Sequence, residues 1–423
     1  MKAEVGRRGG RGASPLKGAG RRIAATCSVV GVLTLLGTGM APAAAGADVH
    51  SKQWYLDAMS ADELWKVSTG EGIKVAVVDS GVRVTPSLEG RVLPGKDITD
   101  SEGGATDDYS GHGTTMAELI AGSGKGGGLR GLAPDAGIIP IRTALDKKLG
   151  KRDGDSPDAI RAAADSDAHI ISMSFGSDFM SQAEKAAVKY ASSKGKLLFA
   201  SVGNDARQEN FIGYPAAYPG VTGISAADRS GKVARYSEFG EYVDLAAPGL
   251  DIPRWCDKTF RSYCDEGGGG TSAATAIASA SAALVWSKHP DWTANQVLRV
   301  LIDTAGRDWP KDEPSDYLGY GLIRPARNVV KGEGKPGPAD VDPITNKKTA
   351  VDGAGSDGGG GSKPDASSQP AKEAASDGKE TSAAEQSSDE DSSDWLWPAL
   401  GGLAALVVIG GGAFAAKRAR HRA

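Results

Sequence analysis

Five histidines stand in the 423-residue chain, and one of them sits where a base could take a proton from a hydroxyl. His50 lies in a short lead-in, His289 precedes Pro290 at a helix end, and His421 falls in a basic tail. His169 opens a buried-strand pattern, where a structural role is the expectation. His112 is set in Ser110-Gly111-His112-Gly113-Thr114-Thr115, and small neighbours on both sides allow substrate to come close. Hydrolysis of a peptide by a serine also needs a carboxylate to hold the base in one tautomer, and donors for the developing oxyanion. Asp79 follows the apolar run Val75 to Val78, Ser272 follows Gly267 to Gly270 and Thr271, and Asn204 stands in Ser201-Val202-Gly203-Asn204-Asp205. Taken singly, Asp79 reads equally as a turn or helix cap, Ser272 as a simple N-cap, and Asn204 as a turn residue.

The surrounding pattern decides where such residues would stand. Ile73 to Val78, His169 to Ser174 and Lys196 to Ser201 are nearly continuous apolar, β-branched runs, as expected of buried parallel strands. Helical patterns cover Pro157 to Ala164, Met180 to Ser193, the Ala-rich Ser272 to Lys288, and Thr293 to Ala305. Alternation of this kind predicts an α/β fold in three layers, a mostly parallel central sheet with helices on both faces. Asp79 then sits at the C-terminal end of a strand, where open α/β sheets place their sites. Ser272 sits at the positive end of a helix, with hydroxyl and backbone N–H both available to an oxyanion.

The flanks differ in character. Residues 1–47 combine seven basic residues with the apolar run Ile23 to Met40 and Ala45-Gly46-Ala47, the pattern of an export signal cut before Asp48. Removing them takes the formal charge from -4 to -10, which argues against a nucleic-acid partner. Residues 48–72 carry Trp54, Leu56, Met59, Leu64 and Trp65 and read as an extension packing on a domain at 73–330. Residues 331–394 hold almost no large apolar side chain and read as a disordered linker. Residues 395–416 are free of charge and long enough to span a bilayer as one C-terminal transmembrane helix, and the basic tail 417–423 belongs on the cytoplasmic side. Once Cys27 leaves with the signal, Cys256 and Cys264 remain, and in an exported protein they read as a disulfide, with two free thiols as the alternative. No loop shows calcium-ligand spacing, so no metal or cofactor is assigned.

Together the motifs Val77-Val78-Asp79-Ser80-Gly81-Val82, Gly111-His112-Gly113-Thr114 and Gly270-Thr271-Ser272-Ala273-Ala274, in that order, resemble the subtilases. The resemblance covers about Trp54 to Val330 and includes Ala247-Pro248-Gly249. It implies a serine endopeptidase with Asp79, His112 and Ser272 as its triad and Asn204 at the oxyanion. It also implies that Ser174-Phe175-Gly176 pairs with substrate backbone, with Gly128-Leu129-Arg130 as the opposite substrate-binding strand. Ala276 stands where the family usually has a proline, which puts the local helix geometry in question. The order of signal, short extension, peptidase domain, linker and span resembles the mycosins of type VII secretion. That likeness implies an extracytoplasmic, membrane-held peptidase with polypeptide substrates and secretion-complex proteins as partners. The alternative is a scaffold role in such a complex with little proteolysis.

Overall fold

The computed structural model describes residues 49–145, 155–265 and 267–349. The signal at 1–47, the span at 395–416 and the tail at 417–423 lie outside them. Among the described residues no helix is long and apolar enough to cross a membrane.

The chain opens with two short helices, α1 (Trp54–Ala58) and α2 (Ala61–Trp65). Then come β1 (Lys74–Asp79), β2 (Lys96–Asp97), α3 (His112–Ala121), β3 (Gly137–Arg142), α4 (Asp155–Ala164) and β4 (Ile170–Met173). They are followed by α5 (Gln182–Ser193), β5 (Leu197–Ser201), β6 (Val221–Ala227) and β7 (Leu245–Pro248). A two-stranded hairpin, β8 (Arg254–Trp255) and β9 (Tyr263–Cys264), precedes α6 (Thr271–Lys288), α7 (Ala294–Asp303) and α8 (Pro325–Val329).

Seven strands form one sheet in the order β2-β3-β1-β4-β5-β6-β7, and every pairing in it is parallel. Alternate residues of β1 serve opposite faces, as the two-residue period of a strand requires. Val75 and Val77 join a core with α3 and α6, whereas Ala76 and Val78 join a core with α4 and α5. This is the three-layer α/β arrangement expected from the sequence. Helix α6 is buried from Thr271 to Trp286, and its alanines let the backbone lie close to the sheet. Ala276 is fully buried in an unbroken helix, retaining the backbone donor that a proline lacks.

The extension at 49–72 belongs to the same core. Tyr55 and Leu64 are fully buried, and Trp54 and Trp65 donate their indole N–H groups to the carbonyls of Leu250 and Leu132. The expectation of a disordered linker from position 331 does not hold for residues 331–349. Residues 331–349 form a strap along α7: Arg299 donates to the Val341 carbonyl at 2.8 Å, and Thr293 and Asn295 donate to the Ala339 carbonyl. Its lack of apolar side chains misled the sequence reading, because polar side chains of α7 satisfy the strap's backbone instead. The remainder, 350–394, lies outside the described residues.

Gln53 shows how firmly the extension is tied in. Its amide accepts from the Arg130 N–H at 3.0 Å and donates to the Arg130 carbonyl at 2.8 Å, as a neighbouring strand would. Replacing Gln53 by alanine strips the Arg130 N–H of its side-chain partner and leaves the Arg130 carbonyl to the Tyr55 hydroxyl alone, a loss of about 1 kcal/mol, the net worth of a typical hydrogen bond. Urea unfolding should show that loss as a lower midpoint with an unchanged slope.

Candidate active site

The strand order places the chemistry. Asp79 ends β1, which lies between β3 and β4, so the chain leaving β4 at Ser174 runs beside it. Asp79 has no exposed surface, and both its oxygens lie against the His112 Nδ1, at 2.8 and 3.0 Å. His112 is the first residue of α3. Two glycines bring it there. Gly111 has φ +87°, a left-handed turn that other residues adopt at a cost. Gly113 packs so closely that a Cβ would lie 2.2 Å from the Gly81 carbonyl oxygen and 3.0 Å from the Asp79 Cβ.

A second carboxylate, which the sequence reading missed, anchors this turn. Asp108 accepts the N–H groups of Ser110, Gly111 and Thr114 and the hydroxyls of Thr114 and Ser80. It therefore caps the orphan donors at the start of α3. An aspartate just ahead of a helix start was the available signal. Ser80 bridges the two carboxylates, lying 3.2 Å from Asp79 and 2.8 Å from Asp108. Burial alone pushes the His112 imidazole down. The charge and hydrogen bond of Asp79, with a further contribution from Asp108, outweigh it and raise the pKa above its ordinary value, while Arg254 opposes them.

Ser272 is the second residue of α6, beside the end of β4. Its hydroxyl donates to the Ser174 carbonyl at 3.1 Å, and the Ser174 hydroxyl donates to the Ser272 carbonyl at 3.0 Å. Asn204 follows β5 and faces the same helix start. Its Oδ1 accepts the N–H and hydroxyl of Thr271, at 3.0 and 3.1 Å, and among the described residues the amide's own N–H groups have no partner. A recess of about 110 Å³ has His112, Thr115 and Leu119 on one wall, Trp255 and Pro253 on another, and Ala273 beside Ser272. It draws α3, the β8–β9 hairpin and the start of α6 into one site. The Cys256–Cys264 disulfide closes that hairpin.

Two further segments were expected to line a substrate. Ser174, Phe175 and Gly176 leave β4 without a strand partner until Ser177, which pairs with Tyr214. No strand pairs with them, and the Ser174 and Phe175 carbonyls accept the hydroxyls of Ser272 and Ser201. Gly128, Leu129 and Arg130 are not a second edge. The Leu129 N–H donates to the Tyr263 hydroxyl, its carbonyl accepts from Ser87, and both Arg130 backbone groups are held by Gln53. The chain that leaves the sheet on the other side of Asp79 is Thr143 to Leu145, past β3.

Comparison with known proteins supports the same reading. The family model described as the subtilase family matches residues 70–321. The chain belongs to the subtilase family. Its domain is a serine endopeptidase of the subtilisin type. It is 34% identical to a thermostable alkaline protease of Halalkalibacterium halodurans over 61% of this chain and 68% of that protein. To a thermophilic serine proteinase of Bacillus sp. (strain AK1) it is 35% identical, over 54% of this chain and 55% of that one. To subtilisin E of Bacillus subtilis it is 34% identical, over 60% and 65%. The chain thus spans between about half and two thirds of these relatives' lengths. Among solved structures it is similar to the MycP3 protease from the type VII (ESX-3) secretion system, with TM-score 0.56 and 28% identity, covering 65% of this chain and 87% of that one. MycP1 from Mycobacterium smegmatis gives 0.56 and 26%, covering 68% and 86%. These structural neighbours are mycosins.

The close approach at Gly113 gives a test. Gly113→Ala must push α3 away from β1 and lengthen the His112–Asp79 contact. Single-turnover cleavage of a peptide substrate should slow by about 10²-fold, the scale of a 1 Å misplacement, while substrate affinity changes little.

Proposed function

We propose that this chain is a membrane-anchored, extracytoplasmic subtilase in which Ser272 is the nucleophile, His112 the general base and Asp79 its orienting carboxylate. The observation that carries the catalytic part is the pairing of buried Asp79 with half-buried His112, which faces, across one recess, the helix start that holds Ser272. As substrate backbone pairs with Ser174 to Gly176, the Ser272 hydroxyl turns from the Ser174 carbonyl to His112 Nε2. It passes its proton there while Oγ attacks the scissile carbonyl. The Nδ1–H stays donated to Asp79, which stabilises the imidazolium. The Asn204 amide and the Ser272 N–H hold the oxyanion. Collapse breaks the C–N bond, and His112 gives its proton to the leaving amine. Water then enters and loses a proton to His112 as its oxygen attacks the acyl carbon; the bond to Ser272 Oγ breaks, His112 returns the proton to Oγ, and the acyl group leaves as the carboxylic acid.

Two things support the anchored, export-linked part of the reading. One is the uncharged run 395–416 followed by Lys417, Arg418, Arg420 and Arg422. The other is the likeness to proteases named for type VII secretion systems. On this reading the substrates are exported polypeptides and the partners are proteins of such a secretion complex.

N-terminal sequencing of exported proteins tests the proposal. Wild-type cells should yield cleaved forms that vanish in Ser272→Ala cells, and fluorophosphonate labelling of the protein should vanish with them. Unchanged processing would mean that catalysis is not the role and would favour a scaffold. Asn204→Ala should keep the labelling but lower kcat by about 10²–10³.

The raised His112 pKa sets the pH dependence. The base works only when neutral, so kcat/KM should fall as pH drops through a value above the ordinary histidine figure of about 6.5. Asp108→Asn removes one of the charges that raise it. The acid limb of the profile should then move to lower pH, whereas a purely structural lesion would lower the plateau without moving the limb.

A further inference from the structure

At the end of the sheet opposite His112, a groove of about 800 Å³ runs between α5, α7 and the strap. Its floor is apolar, built from Leu197 at the start of β5, Trp286 of α6 and Leu298 of α7. Its rim is basic. Lys185 and Lys189 come from α5, Lys194 follows it, and Lys347 comes from the strap. All four are exposed, and among the described residues none is ion-paired to a carboxylate. The one acidic residue lining the groove, Asp342, turns its carboxylate into its own loop, accepting the N–H groups of Ile344 and Thr345. Lys196, deeper in, is already held by the carbonyls of Ser166 and Ala168.

Thr349, the last described residue of the strap, also lines this groove, so the chain continues from its edge. What continues is acidic. Residues 351–394 contain eleven Asp and Glu against three Lys, beginning with Asp352 three positions beyond Thr349. We propose that this acidic segment of the chain itself occupies the lysine-rimmed groove. Exposed ion pairs are individually weak and are screened beyond about 8 Å at physiological salt. A segment tethered at the groove's edge, however, faces the lysines at an effective concentration on the order of millimolar, so several weak pairs suffice. Four residue steps along β5 separate Leu197 on the floor from Ser201 at the other end of the strand, a rise of roughly 13 Å, and Asn204 lies beyond it. The docked segment would therefore leave the catalytic end of the sheet uncovered. Resting on the reading of 395–416 as an anchor, it would also turn that end away from the bilayer.

Carbodiimide crosslinking of the full chain tests this, using an equal mixture of isotopically heavy and light molecules in detergent. The expected products join Lys185, Lys189, Lys194 or Lys347 to carboxylates of 352–394 within one isotope. Yields at Lys194 and Lys347 should fall roughly tenfold in about 1 M salt, where the Debye length is ~3 Å, and likewise in a Lys185→Glu/Lys189→Glu variant that still cleaves peptide. The Lys52–Asp265 pair, 2.7 Å apart, is the internal control. The proposal is overturned if that control forms without the groove products. Mixed-isotope products would overturn it too, by placing a second copy in the groove, as would yields indifferent to both salt and charge reversal. Because the readout needs no catalysis, its failure would leave the peptidase reading standing.

Discussion

The docking of α6 against the end of β4 governs the rest of the molecule. Two hydroxyls make it, each donating to the other residue's carbonyl: Ser272 to Ser174 and Ser174 to Ser272. A buried helix start leaves backbone donors unsatisfied, and a strand end leaves carbonyls unsatisfied. Here side chains meet both deficits: the Ser272 hydroxyl takes the Ser174 carbonyl, and the Asn204 amide oxygen takes the Thr271 N–H. Once α6 is fixed there, the parallel register does the remaining positioning. Val78 pairs with Met173, so Asp79 lies level with Ser174, and α3 brings His112 down onto Asp79. The alanines of α6 serve the same end, since larger side chains would hold the helix off the sheet.

The electrostatics of the site are shared more widely than a three-residue triad implies. Asp79 and Asp108 are joined through the Ser80 hydroxyl, and both favour protonated His112. Asp108 is satisfied by five donors, so its charge is held in place by hydrogen bonds. Burial of the imidazole and Arg254 pull the other way. The proton affinity of His112 is thus set by a balance between two nearby carboxylates on one side and a partly apolar recess on the other. Trp255 contributes to that recess from the disulfide-closed hairpin, stacking on Tyr263 at 3.9 Å between ring centres.

What the sequence made legible follows from where local pattern carries the information. Strand β5 and helix α5 announce themselves through apolar periodicity, and Ser181, whose side chain accepts from the Glu184 N–H, gives α5 its cap. The settings of Asp79, His112 and Ser272 are legible because glycines are needed where backbones nearly touch, as at Gly113. Long-range satisfaction of backbone groups is not legible in this way. Nothing near Gly128 to Arg130 says that Gln53, 77 positions earlier, will take both polar groups of Arg130 and close what would otherwise be a free edge. Nor does the composition of 331–349 say that α7 will supply its donors.

The extension at 49–72 raises a question of mechanism that the geometry answers. No residue of it lines the recess beside His112, so it does not occupy that space. It reaches the recess through the core instead. Gln53 and Tyr55 hold Arg130, and Leu129 next to it donates to Tyr263. Tyr263 in turn donates to Glu118, which lies on the same helix as His112 and also accepts from Thr85. Burial pushes the Glu118 carboxyl up to about 7, so the centre of this network is a group kept from water. A buried polar network is stable only when every member has its partner. Withdrawing the extension would therefore leave unpaired groups beneath both the hairpin wall and the histidine helix. It acts as a support for the recess beside His112, built into the fold, and leaves that recess unfilled.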